Sequence, residues 1–131
     1  MLRVLAGIFH SVTMDVLDRK AVDGLVDSLP DNLKDISILV NNAGGATGTE
    51  AMGKIALEDL DTMLDLNVKA LVHMTQLILP IFQKKKEGHI INVGSVAGRE
   101  SYATGSIYCA AKHAVKAITG AMIKEVCLSL V

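Results

Sequence analysis

A chain of 131 residues, half of them hydrophobic and 21% charged, has the composition of one globular domain with enough apolar material for a real core. Its formal net charge of −1 provides no basic field for nucleic acid or an anionic membrane. No apolar run approaches the length of a membrane span, and Met1–Phe9 is too short in its apolar part, and lacks a small-residue cleavage site, to read as a signal peptide.

In chain order, Val12 to Val16 reads as a strand, with Asp15 near its carboxyl end. A helix is expected from about Lys20 to Leu29, where Ala21, Val22, Leu25, Val26 and Leu29 share a face before Pro30 ends it. Ile36 to Val40 is a short apolar run of the kind found in strands buried on both faces, and it leads directly into the turn Asn41-Asn42-Ala43-Gly44-Gly45. A long helical region spans about Leu57 to Lys86, with an apolar stripe of Leu60, Met63, Leu64, Val68, Leu71, Val72 and Leu79. Pro80 is expected to kink it, and Gly88 suits a left-handed residue just past its end. The run Lys84-Lys85-Lys86 reads as a solvated helix end. Ile90 to Val93 forms a further strand ending at Gly94-Ser95, and a last helix runs from about Ser106 to Leu128.

Strands separated by helices predict an α/β fold with a parallel sheet, in one domain over 1–131. Ligands of such sheets bind beyond the carboxyl ends of the strands, where Asp15-Val16, Asn41–Gly44 and Gly94-Ser95 would gather. Cys109 and Cys127 fall on one helix, roughly 27 Å apart at 1.5 Å per residue, beyond disulfide reach. Reduced, buried thiols suit a cytoplasmic protein. His10, His73, His89 and His113 have no metal-ligand spacing, so no metal site is expected.

Tyr108 and Lys112 stand four apart, hence one turn apart on one helix face. A neighbouring ammonium favours an ionised phenol, which general acid–base chemistry near neutral pH requires. Taken alone, the pair reads by default as a core tyrosine beside a solvated lysine. Ser95 lies 13 residues before Tyr108, at a strand end, and could bond the same substrate oxygen. Asn67, within the apolar context Leu66-Asn67-Val68, is expected to be buried with a satisfied partner.

The set Asn41-Asn42-Ala43-Gly44, Asn67, Ser95 and Tyr108-Cys109-Ala110-Ala111-Lys112 resembles the short-chain dehydrogenase/reductase signature in its usual order, over about Ser11 to Val126. The wording Gly88-His89-Ile90-Ile91-Asn92-Val93-Gly94-Ser95-Val96-Ala97-Gly98 and Thr104–Cys109 is similar to NADP-dependent 3-hydroxy acid dehydrogenases, which oxidise serine, allo-threonine and related acids. The resemblance implies a partial doubly wound, Rossmann-like sheet lacking its first βαβ unit and C-terminal strands. It implies an NADP cofactor (NAD being possible), a small-molecule substrate, and a homo-oligomer paired through the two long helices. It also implies roles. Tyr108 would exchange the proton, Lys112 would bind the nicotinamide ribose, Ser95 would orient the substrate oxygen, and Asn67 would bend its helix and hold a water. Asp15 and Val16 would touch the adenine, and Asn42, Ala43 and Gly44 would line the ribose. Arg99 could meet a substrate carboxylate or be a solvated loop residue; Tyr102 could wall the pocket or simply pack the loop.

The family's phosphate-binding, glycine-rich turn has no counterpart here, since the only early glycine is Gly7. The chain is therefore expected to be a fragment of an oxidoreductase, or alternatively a catalytically silent remnant acting by subunit association. With its sheet neighbours missing, the strand Val12–Val16 is expected to pair directly with Ile36–Val40.

Overall fold

The computed structural model describes residues 7–128, and the side chains of residues 127 and 128 lie outside that description. The expectations for most of Met1–Phe9 and for the Cys127 thiol therefore fall outside the described residues.

Among the described residues five α-helices and two strands follow one another: α1 (Arg19–Asp23), α2 (Leu25–Ser28), β1 (Ile38–Asn41), α3 (Leu57–Leu64), α4 (Ala70–Lys85), β2 (His89–Asn92) and α5 (Ser106–Leu128). Strands β1 and β2 pair in parallel with Ile38 opposite His89 and Asn41 opposite Asn92, which sets the two polar strand ends side by side. The architecture is the expected α/β one, reduced to a two-stranded parallel sheet.

Several local expectations are corrected. Val12–Val16 forms no strand and does not pair with β1. Asp15 instead folds the segment into a turn: its carboxylate accepts the Leu17 N–H at 2.9 Å, and its carbonyl accepts the Asp18 N–H at 3.1 Å. A side chain that bonds its own backbone competes with a ladder, and here the turn prevails. The Lys20–Leu29 helix is divided at Gly24, with Asp18 capping the first piece through the N–H groups of Lys20 and Ala21. The run Ile36–Val40 is not buried on both faces. Ile38 and Val40 are 59% and 54% exposed, while Leu39 and Asn41 face inward, because α4 covers only that side of the strand.

The long helical region is interrupted over Asp65–Lys69 by one π turn, closed by the Ala70 N–H reaching the Asp65 carbonyl five residues back. The wider turn keeps Met63, Asn67 and Leu71, spaced by four, on the buried side. The departure from α geometry falls there, whereas helical structure continues through Pro80 to Lys85. The left-handed residue closing α4 is Lys86, at φ 56°, and not Gly88. Gly88 is needed for space: a Cβ there would lie 2.2 Å from the buried Phe82 ring. Nor is the lysine run uniformly solvated. Lys85 pairs with Asp35 at 2.6 Å and donates to Ile36 O and Ser37 Oγ, which ties the end of α4 to the entry of β1.

The core gathers Val22, Met63, Leu71, Ile78, Phe82, Cys109, Ala111 and Val115 between the helices and the inner sheet face. Burying Ile78 or Phe82 contributes roughly 1.5–3 kcal/mol each. Among the described residues, no helix is long and apolar enough to cross a membrane.

Candidate active site

The site is built where β1 and β2 end. Strand β1 delivers the turn Asn42–Gly44, which is exposed at its tip. Behind that turn stands Asn67, 1% exposed, in the middle of the π turn. Its Nδ2 donates to Gly45 O at 2.7 Å and to Met63 O at 2.9 Å, and its Oδ1 accepts the Gly45 N–H at 3.3 Å. The carboxamide thus clamps the turn from both sides, and the expectation of a buried, satisfied Asn67 holds. Gly44 has no alternative in this packing, since a Cβ would fall 2.7 Å from Asn67 Oδ1 and 3.3 Å from Lys112 Nζ.

Strand β2 delivers Gly94 and Ser95. The Ser95 hydroxyl accepts the Ala97 N–H at 3.2 Å and caps the 3₁₀ turn Val96–Gly98, which leaves its own proton free to donate outward. That turn lies against α5 so closely that a Cβ at Gly98 would meet the Lys112 carbonyl oxygen at 2.7 Å. In the sequence Gly98 stands out only as the end of the family-like stretch Gly88–Gly98; nothing there marks its packing role.

Helix α5 carries Tyr108 and Lys112 on one face, with the ammonium 5.7 Å from the phenol ring centroid. Lys112 is 7% exposed, yet no carboxylate pairs with it among the described residues, and its one protein acceptor is Val93 O at 3.4 Å. A buried cation with a single long hydrogen bond is costly unless something further receives its donors. A cavity of about 460 Å³ is lined by Gly94, Ser95, Arg99, Lys112 and Lys116, among others. Ser95 and Lys112 share it, and Tyr108 is not in its lining, so the three do not converge on that one cavity.

Asn67, Gly44, Lys112 and Tyr108 are therefore brought together, and Ser95 joins them through the Lys112 cavity. Asp15 and Val16 stand apart. The hydrogen bonds of Asp15 stay within its own turn, and Val16 lines a separate cavity of about 410 Å³ with Leu17, Lys69 and His73. Lys69 pairs there with Asp65 at 2.5 Å, a hydrogen bond that holds its pKa above the ordinary lysine value. Of the histidines, His73 Nε2 meets Asp23 at 2.7 Å and His113 Nδ1 meets the Cys109 carbonyl at 2.8 Å. Tyr102 is 50% exposed and lays its ring over Gly105, where a Cβ would come within 2.2 Å.

The site thus combines a two-strand parallel crossover with an Asn-bearing helix, a serine at the second strand end and a Tyr–Lys pair on the next helix. The profile of the short chain dehydrogenase family matches residues 2–129, and the chain belongs to that family. It is 46% identical over 112 residues to an NADP-dependent 3-hydroxy acid dehydrogenase of Schizosaccharomyces pombe, covering 86% of this chain and 43% of the relative. Among solved structures it is similar to serine dehydrogenase from Escherichia coli, at 43% identity and a TM-score of 0.83, covering 86% of this chain and 52% of that one. A closed form of serine dehydrogenase complexed with NADP+ matches at 42% identity and a TM-score of 0.84, covering 86% and 46%. The chain thus spans about half the length, or less, of the relatives it matches. The fold they share is the Rossmann-like one, of which the two-stranded sheet is a part.

Proposed function

We propose that this chain carries the proton-transfer half of an NADP-dependent oxidoreductase that interconverts the hydroxyl of a small 3-hydroxy acid and the corresponding ketone. The observation that carries the reading is the Lys112 ammonium, buried without a carboxylate, one helical turn from Tyr108 and against the Gly44 turn. Those groups fit a nicotinamide riboside: the side-chain-free turn at Gly44 allows close approach, and the ammonium has donors left for ribose hydroxyls. Asn42, Ala43, Gly44, Tyr108 and Lys112 would hold that part of the cofactor, and Asp15 and Val16 the adenine.

When bound, the cofactor supplies or accepts the hydride. In the oxidative direction Tyr108 takes the alcohol proton on its phenolic oxygen, and in the reductive direction it returns that proton to the carbonyl oxygen. Lys112 stabilises the phenolate between these events. Ser95 donates its hydroxyl proton to the same substrate oxygen, its lone pair already engaged by the Ala97 N–H. Asn67 holds the cofactor turn through Gly45, and its helix position lets it order a water behind Lys112.

Steady-state kinetics of the full-length protein with serine, related 3-hydroxy acids and NADP+ test the reading. Turnover is expected, and Tyr108→Phe should abolish it while cofactor affinity stays nearly unchanged. No turnover with any 3-hydroxy acid, or equal loss of cofactor binding in Tyr108→Phe, would refute it.

A second reading rests on the outer sheet face, where Ile38, Val40 and Ile91 are 59%, 54% and 40% exposed. Parallel sheets normally bury both faces. A 131-residue polypeptide with that face open would act by association, alone or through its long helices α4 and α5, and would sediment as an oligomer without turning over any alcohol.

A further inference from the structure

We propose that Thr119 is a positioning residue: it fixes the height of α5 against β2, and so the placement of Tyr108 and Lys112 relative to Ser95. The inference rests on the catalytic reading above but on different atoms. Asn41 and Asn92 stand opposite each other at the ends of the two strands. Asn41 Nδ2 spends both protons, donating to Asn92 Oδ1 at 2.9 Å and to Thr75 Oγ1 on α4 at 3.0 Å. Asn92 Oδ1 is thereby an acceptor, so its Nδ2 faces the other way and donates to Thr119 Oγ1 at 2.9 Å. Thr119 in turn gives its own proton to the Val115 carbonyl at 2.7 Å, which leaves its oxygen able only to accept.

Every donor direction in this chain is therefore forced, and it runs from β1 through β2 to α5. Side-chain networks of this kind specify one arrangement because a half-satisfied version is costly in a low-dielectric interior. Asn41 and Thr75 are 9% and 6% exposed, so water offers them little substitute, whereas Asn92 and Thr119 are half-buried and border the cavity shared by Ser95 and Lys112.

The consequence for the site is geometric. Besides Thr119, the polar tie from α5 to β2 or the residue following it is Lys112 Nζ to Val93 O, at 3.4 Å a weak one. Val93 leads directly into Gly94-Ser95. Without the Thr119 hydroxyl, the polar tie that remains between α5 and the β2 end among the described residues is that long bond, and the register of α5 then rests on the Gly98 contact and the apolar packing of Cys109, Ala111 and Val115. A slide of one residue along a helix axis is about 1.5 Å. Misplacement of reacting groups by about 1 Å can cost on the order of 100-fold in rate. Thr119 touches no substrate, so its effect should appear mainly in kcat, with a smaller effect on cofactor affinity through the placement of Lys112.

Two measurements test this. The first uses the 131-residue chain and needs no activity. The chain has two tyrosines, so Tyr108 ring resonances are readily separated from those of Tyr102 in Tyr102→Phe protein. Thr119→Val should shift the Tyr108 ring and Lys112 side-chain signals, and Thr119→Ser should leave them in place. Thr75→Val, which deletes the buried bond at the far end of the same network, on α4, should shift them less than Thr119→Val does. If the valine variant loses its dispersed spectrum, Thr119→Ala is read the same way. Unmoved Tyr108 and Lys112 signals in a folded Thr119 variant, or equal shifts in Thr75→Val, would overturn the proposal.

The second measurement is kinetic, on the full-length enzyme. Thr119→Val should lower kcat by roughly 10- to 100-fold, with a smaller rise in the KM for cofactor and recovery of both in Thr119→Ser. An unchanged kcat would also overturn the proposal. Absence of dehydrogenase activity in the parent protein would refute the catalytic reading instead, and the spectroscopic result would still decide the role of Thr119.

Discussion

The Oδ1 of Asn67 lies 2.7 Å from where a Cβ on Gly44 would sit, so the residue at the tip of the turn after β1 and the residue at the centre of the π turn exclude any side chain between them. Gly44→Ala must displace either the turn or the Asn67 carboxamide, which also holds Gly45 and Met63. A loss of about 1–3 kcal/mol is expected from such overpacking. Urea unfolding of Gly44→Ala against the parent checks it, and an unchanged midpoint would show that the clamp yields freely.

Gly98 should be less forgiving than Gly44. Its added Cβ would meet backbone, the Lys112 carbonyl oxygen, at 2.7 Å, and a helix backbone cannot rotate away as a side chain can. Gly98→Ala is expected to destabilise by roughly 2–3 kcal/mol and to push the Ser95 turn off α5. Thermal unfolding gives the first quantity, and loss of turnover beyond the loss of folded protein gives the second.

Thr104 carries a left-handed backbone, φ 65°, between Ser95 and Tyr108, a conformation that costs a β-branched residue energy. Thr104→Gly should relieve that strain. After allowance for the greater unfolded-state entropy of glycine, a gain of about 0.5–1 kcal/mol remains, a rise in Tm of a few degrees. A Tm lowered by the change would show that contacts of the threonine side chain outweigh its backbone strain.

Lys85 joins the last turn of α4 to Asp35, Ile36 and Ser37 ahead of β1. Replacing it with Met keeps the aliphatic stem and removes three polar partners. Because Asp35 is largely exposed, the ion pair itself contributes little, and the Ile36 carbonyl bond matters more. A loss of about 1 kcal/mol is expected, with faster amide exchange at the start of β1. Lys84→Met, with no such partners recorded among the described residues, should be silent in the same assay.

The helical stretches and the family resemblance were legible in the chain itself. The period of the apolar residues marked the region of α3 and α4 as helical, and the Asn67, Ser95, Tyr108 and Lys112 pattern carried the resemblance to the family. Those signals are local or nearly so, since a helix face repeats every three to four residues and Tyr108 sees Lys112 across one turn. The remaining features depend on partners distant in the chain. Val12–Val16 has strand-like composition, yet a strand exists only by pairing, and the Asp15 turn took precedence. Ile38 and Val40 read as doubly buried because their side chains are apolar, but exposure depends on which helices cover each face. The π turn at Asn67, the need for glycine at 44, 88 and 98, and the Asn41–Asn92–Thr119 chain likewise arise from elements meeting in space. Composition records that a side chain is small or polar; only packing decides what it must avoid or to whom it must donate.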